Sequence, residues 1–133
     1  MKRKGFTLIE LVVVMAIIAI LALMVIGAIL VARASASRTQ NINNANAIRA
    51  GIEADFAKHP NTGYTARAGS FQAVAAGLGI TLGSSVCNAA ASANEGGGTV
   101  TVTAGRIGPY TVTPSDVTTA QACTGTLTPI TGP

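Results

Sequence analysis

The chain has 133 residues, with nine Lys or Arg, five Asp or Glu and one His, for a formal charge of +4. That length allows one small globular domain and a single long apolar helix. Lys2, Arg3 and Lys4 supply a third of the cations, and without them six basic side chains face five acidic ones, which is no basic patch for nucleic acid. His59 is the only histidine and no C-x-x-C occurs, so no metal spacing and no cofactor motif is present. The few carboxylates and the lack of a nucleophile–His pairing motif argue against an enzyme.

The N-terminus comes first in chain order. Met1-Lys2-Arg3-Lys4-Gly5-Phe6-Thr7-Leu8-Ile9-Glu10 leads into an uncharged apolar run from Leu11 to Ala32. Those 22 residues make a helix about 33 Å long, enough to cross a bilayer core. A secretory signal would use Lys2–Lys4 as its basic region and Ala34-Ser35-Ala36 as its cleavage site. Its apolar core would be shorter, roughly 7–15 residues, and would gain nothing from Glu10. A plain membrane anchor explains the length of the run but not the Gly5-Phe6 junction.

Lys4-Gly5-Phe6-Thr7-Leu8-Ile9-Glu10-Leu11 resembles, without a mismatch, the processing motif of type IV pilin precursors, and the short leader and Phe6 resemble the type IVa kind. The resemblance implies that a prepilin peptidase cuts between Gly5 and Phe6 on the cytoplasmic side and N-methylates Phe6. It implies that the apolar run stays in the product. It further implies an inner-membrane precursor and a homo-oligomeric helical filament outside the cell, with no small-molecule substrate. Filaments of this family serve adhesion, twitching motility and DNA uptake, so nucleic acid stays open as a partner. Many members carry a proline late in the membrane segment; here Gly27 is the only breaker there. Pseudopilins of type II secretion systems share the motif. Their major subunits tend to carry a carboxylate-rich calcium site near the C-terminus, whereas Asp116 is the only acidic residue after Glu95. That difference and the cysteine pair favour a pilin. A monomeric membrane-anchored binding domain is the alternative of another class.

Physical reasoning adds two expectations. The leader cations beside the apolar run predict an N-in, C-out orientation. Glu10 in hydrocarbon costs about 2.5–3.5 kcal/mol, so a partner is expected. Leader removal would create one, the Phe6 amine. The carboxylate either neutralises that amine on a neighbouring subunit, setting the axial register of assembly, or caps its own helix.

No proline falls between Phe6 and His59. A single helix of about 50 residues is therefore expected. Beyond Arg33 an apolar stripe runs through Ile42, Ala45, Ile48, Ile52 and Phe56 at helical spacing, with Arg38, Asn43, Asn46, Arg49, Glu53 and Lys58 between. Glu53 and Asp55 are two apart and read as a solvated face rather than a carboxylate pair. Lys58 and His59 suit a helix end, and Pro60-Asn61-Thr62-Gly63 stops it.

Ser70–Ala76 reads as a short helix capped by Ser70 and stopped at Gly77 or Gly79. The glycines of 77–83 fit no phosphate-loop spacing and read as turn and short extended chain. Residues 89–98 read as a flexible loop. Thr99–Thr103 and Tyr110–Thr113 predict an antiparallel hairpin, with Gly105–Gly108 at its turn, whose valine face covers the Ile42–Phe56 stripe. Ser115 is expected to cap a helical turn over Asp116–Ala122, and the tail after Cys123 to be irregular or an edge.

Outside the cytoplasm, Cys87 and Cys123 read as a disulfide rather than two buried thiols. The pair also fits the family habit of stapling the C-terminal region. It would add about 3–4 kcal/mol in the chain-entropy model. The expected organisation is α+β and pilin-like, a long N-terminal helix packed on a small antiparallel sheet. The segments are a leader at 1–5, a transmembrane or filament-core helix at 6–32, its amphipathic continuation at 33–59 and a small head at 60–133.

Overall fold

The computed structural model describes residues 4–85, 87, 94–106, 108–119 and 122–133. Without an interrupting proline, the backbone ladder runs unbroken through α1 (Leu8–Lys58, 51 residues), a rod of about 76 Å. The ends of the rod have local causes. Thr7 and Glu10 form a reciprocal capping box at the start, and His59 ends the helix with its N–H donating to the Phe56 carbonyl. After α1 come β1 (Arg67–Ser70), α2 (Phe71–Leu78), β2 (Gly98–Val102), β3 (Tyr110–Thr119), β4 (Ala122–Thr126) and β5 (Ile130–Gly132). The arrangement is α+β and pilin-like: the second half of the long helix lies on a small antiparallel sheet.

The sheet runs β1-β2-β3-β4, with β5 also paired to β3 and every pairing antiparallel. The expected hairpin is present, with Val100 opposite Val112 and Val102 opposite Tyr110. Its inward residues Val100, Val102, Tyr110 and Val112 close on Ala45, Ile48 and Ile52 of α1, joined by Phe71 and Val74 of α2. α2 starts at the Ser70 cap, and Gly79 at φ +70° ends it, which decides between the two expected glycines.

Two expectations for this region are corrected. Ser115 caps no helix: β3 continues through it to Thr119. The reason is tertiary, since the Ser115 N–H donates to the Gly97 carbonyl (2.8 Å) and the Ser115 carbonyl accepts from Asn41 Nδ2 (2.9 Å). Both backbone groups are thus committed to extended chain. The tail after Cys123 forms edges of the sheet, one of the two expected outcomes: β4 and β5 both pair with β3, changing over near Pro114, whose carbonyl accepts from Leu127 N–H (2.8 Å). Ile42, expected under the valine face, is 39% exposed. The expected 89–98 loop lies outside the described residues up to position 93; Gly98 begins β2. Ile107 of the expected turn is also outside them.

One mid-helix glycine has a packing cause. A Cβ on Gly51 would collide with the Ile80 side chain, so its absence lets the 78–82 segment lie directly on α1.

Candidate assembly surface

Two surfaces of α1 have opposite fates. From Leu8 to Val31 every large aliphatic side chain is between 46% and 81% exposed. The segment is apolar all round, and among the described residues α1 is the one helix long and apolar enough to cross a membrane. No described part of the head covers it.

At the start of this segment, residues 4–7 are non-helical and exposed, so Gly5 and Phe6 sit in open chain just before the helix. The Glu10 carboxylate accepts from the Thr7 N–H through Oε2 (2.8 Å), and the Glu10 N–H donates to Thr7 Oγ1 (3.4 Å). Within one chain, then, Glu10 is a self-contained cap. The Thr-x-x-Glu spacing of Thr7 and Glu10 is the sequence signal for it. None of the capping atoms belongs to residues 1–5, so the box does not depend on them.

The other surface, Asn41 to Lys58, holds the head. Its innermost positions include two asparagines that an apolar stripe does not reveal. Asn41 is 0% and Asn44 2% exposed. Asn44 Oδ1 accepts from Gly83 N–H (3.0 Å) and Gln40 Nε2 (3.0 Å), while its Nδ2 donates to the Gly83 and Gly96 carbonyls (3.1 and 2.9 Å). Asn41 Oδ1 accepts from Ser85 Oγ, and its Nδ2 reaches Cys87 Sγ (3.3 Å) as well as Ser115. Burial of an amide is tolerated because its hydrogen-bonding capacity is filled. Together the pair pins Gly83, Ser85, Cys87 and Gly96 and strand β3 to the helix. Cys87 and Cys123 are bonded, with Cα atoms 5.6 Å apart, so the pinned segment is also tied to β4.

Toward the other end, Glu53 is not the solvated group expected. Its two carboxylate oxygens accept from Tyr110 (2.6 Å) and Tyr64 (3.2 Å). Phe56 stacks on Tyr64 there, with ring centroids 4.5 Å apart, and Tyr64 meets Tyr110 edge to face at 5.7 Å. Burial first, and Glu53 second, push both phenols above the usual tyrosine range. Asp55 lies between Arg67 Nη2 (3.6 Å) and His59 Nδ1 (3.7 Å), and His59 keeps the helix-end place expected of it. Among the described residues no cluster of three or more metal-capable side chains occurs.

A family model described as the prokaryotic N-terminal methylation motif matches residues 1–26. This is the class III leader of type IV pilins and pseudopilins. The leader supports a pilin or pseudopilin class, a structural kind of protein that is typically non-enzymatic, and implies processing by a prepilin peptidase and assembly into pilus-like polymers. Leader and apolar helix together fit a membrane-anchored precursor. Neither curated proteins nor solved structures give a significant match to the chain.

Proposed function

We propose that the chain is the structural subunit of a type IV pilus filament. The observation that carries this reading is the bare apolar surface of α1 from Leu8 to Val31, placed directly after the methylation motif. Cleavage falls between Gly5 and Phe6, in exposed open chain suited to a peptidase site, and Phe6 becomes the methylated N-terminus. The precursor sits in the inner membrane with its N-terminus inside and its head outside. On assembly, identical neighbours replace lipid around residues 6–32, and the heads, on the 33–59 half of the helix, face outward.

Glu10 has a double role in this scheme. Oε2 holds the Thr7 N–H in the cap, and Oε1 receives the Phe6 amine of a neighbouring subunit. That contact matches a buried positive charge with a buried negative one and sets the axial register. Adhesion, twitching motility and DNA uptake are the roles open to such a filament.

Two measurements test the reading. N-terminal peptide mass spectrometry of assembled protein is expected to find N-methylated Phe6; a start at Met1 or Ser37 overturns it. Electron microscopy of sheared surface material is expected to show filaments made of this subunit. Their absence, with the chain confined to a secretion complex, favours the pseudopilin alternative.

A further inference from the structure

One member of the helix stripe, Ile42, is left open by the head, and it forms the floor of a surface groove. The groove holds about 380 Å³ and is lined by Arg38, Ile42, Pro114, Leu127, Thr128 and Ile130. Its charge is turned aside, because Arg38 Nε pairs with Asp116 Oδ1 at 3.3 Å. What remains is an aliphatic hollow at the edge of the head nearest the apolar half of α1.

We propose that this groove receives the apolar helix of a second copy of the chain, and that this contact propagates the polymer. The inference rests on the filament reading above.

Three observations support that occupant. First, Val13, Ile17, Met24, Val31 and Ile42 fall within about 40° of one another at about 100° per residue, so the groove continues one face of the bare helix. No charge lies on α1 between Glu10 and Arg33, so a neighbour lying along this face meets only apolar or small side chains up to Arg38, whose guanidinium is paired with Asp116. Second, the described residues carry a limited stock of exposed large aliphatic and aromatic side chains. Apart from Ile42, all of them lie between Phe6 and Val31. In a polymer of identical subunits, that helix is the apolar partner the chain itself supplies. Third, the groove and the apolar helix are different patches on one molecule. A contact between unlike patches is heterologous and, when its rotation does not close, generates an open helical filament.

Axial reach follows from the helix. For a parallel neighbour, placing any of residues 8–31 at the level of Ile42 requires an axial offset of about 16–51 Å at 1.5 Å per residue. A shift within that range leaves the two apolar segments overlapping only when it is below about 36 Å, the length of 24 residues. Offsets in the lower part of the range therefore bury helix against helix and fill the groove at once.

The test uses the full chain in cells that export and assemble it. Ile42→Lys and Leu127→Lys each place an ammonium in the groove, while Thr101→Lys places one on the exposed outer face of β2 as control. Expected are unchanged membrane-fraction level, leader cleavage and protection of both cysteines from thiol labelling. Filament yield should fall at least tenfold for the groove variants and stay near wild type for Thr101→Lys and Ile42→Leu. A photo-crosslinking amino acid at exposed Thr128, activated in sheared filaments, should join one subunit to residues 8–31 of another. Normal yield from Ile42→Lys and Leu127→Lys overturns the groove while leaving the filament reading intact, as do cross-links only between heads. An uncleaved chain that forms no polymer overturns the filament reading itself, and the groove with it.

Discussion

The two halves of α1 are one continuous helix with opposite relations to the rest of the chain. In the first half, leucines, isoleucines and valines stand exposed; in the second, two asparagines are the residues hidden most completely beside Ala45 and Ile48. Hydrophobicity therefore does not report burial in this molecule. It reports which solvent a segment is built for. In the filament we propose, the first half has lipid or neighbouring helices as its medium; the second has a folded head whose loops need polar anchors as much as apolar cover.

The sharpest way to break this comparison is Glu10→Ala. It removes the one charge of the first half, so membrane insertion should be unharmed or improved, and cleavage should persist because Gly5 and Phe6 are untouched. Filament yield should fall at least tenfold, since an unpaired buried charge costs about 3–5 kcal/mol. Comparing membrane-fraction level, cleavage and sheared filament yield checks this. Normal yield would reduce Glu10 to the helix cap seen within one chain.

Next in size is the staple of the second half. Reducing Cys87–Cys123 should lower head stability by about 3–4 kcal/mol, read as a lower urea midpoint for the full chain in detergent. The exposed first half makes no use of the bond. Before reduction, thiol labelling under denaturing conditions should find neither cysteine free.

Asn44→Leu probes the asparagine anchors directly. The substitution makes the second half more like the first, yet it should destabilise the head by about 2–3 kcal/mol, because the part-buried Gly83 N–H and the Gly83 and Gly96 carbonyls lose their bonds to Asn44. The same urea titration reads the effect. An unchanged midpoint would show that apolar cover suffices there.

The smallest effect is a pH dependence confined to the second half. Tyr64 and Tyr110 are the chain's only tyrosines, so ultraviolet titration reports on them alone. Both phenols are raised in the fold. A raised folded value means their contribution is complete below the unfolded tyrosine range near pH 10 and is lost as pH climbs through the folded value. Tyrosinate absorbance should therefore appear later in the folded chain than in urea. Glu53→Gln should shrink the delay without abolishing it, since burial is the larger cause.

Much of the first half was legible because its determinants are local. A contiguous uncharged run, the Gly5-Phe6 junction and the lack of proline act through composition, chain length and backbone geometry, without reference to distant residues. The Ser70 cap and the Val100–Val112 hairpin were legible for the same reason. The head was less so. Ser115 has the residue type of a helix cap, but its backbone bonds to Gly97 and Asn41 hold it in a strand. Glu53 has the spacing of a solvated helix face, and only the return of Tyr64 and Tyr110 to that face encloses it.

By itself, then, the sequence determined the long helix, the leader motif, the cysteine pair and the α+β character of the head. Each follows from neighbours in the chain or, for the cysteines, from the compartment that the leader implies. Tertiary structure alone decided that Asn41 and Asn44 anchor the loops, that Glu53 binds two phenols, that β4 and β5 both extend the sheet along β3, and that Ile42 stays open above the groove. In each of those cases a polar or apolar group has several possible partners of similar strength. Which one it takes depends in good part on residues distant in the chain, 11 positions away for Tyr64 and Glu53 and 74 for Asn41 and Ser115, brought within reach only when the sheet closes on the helix.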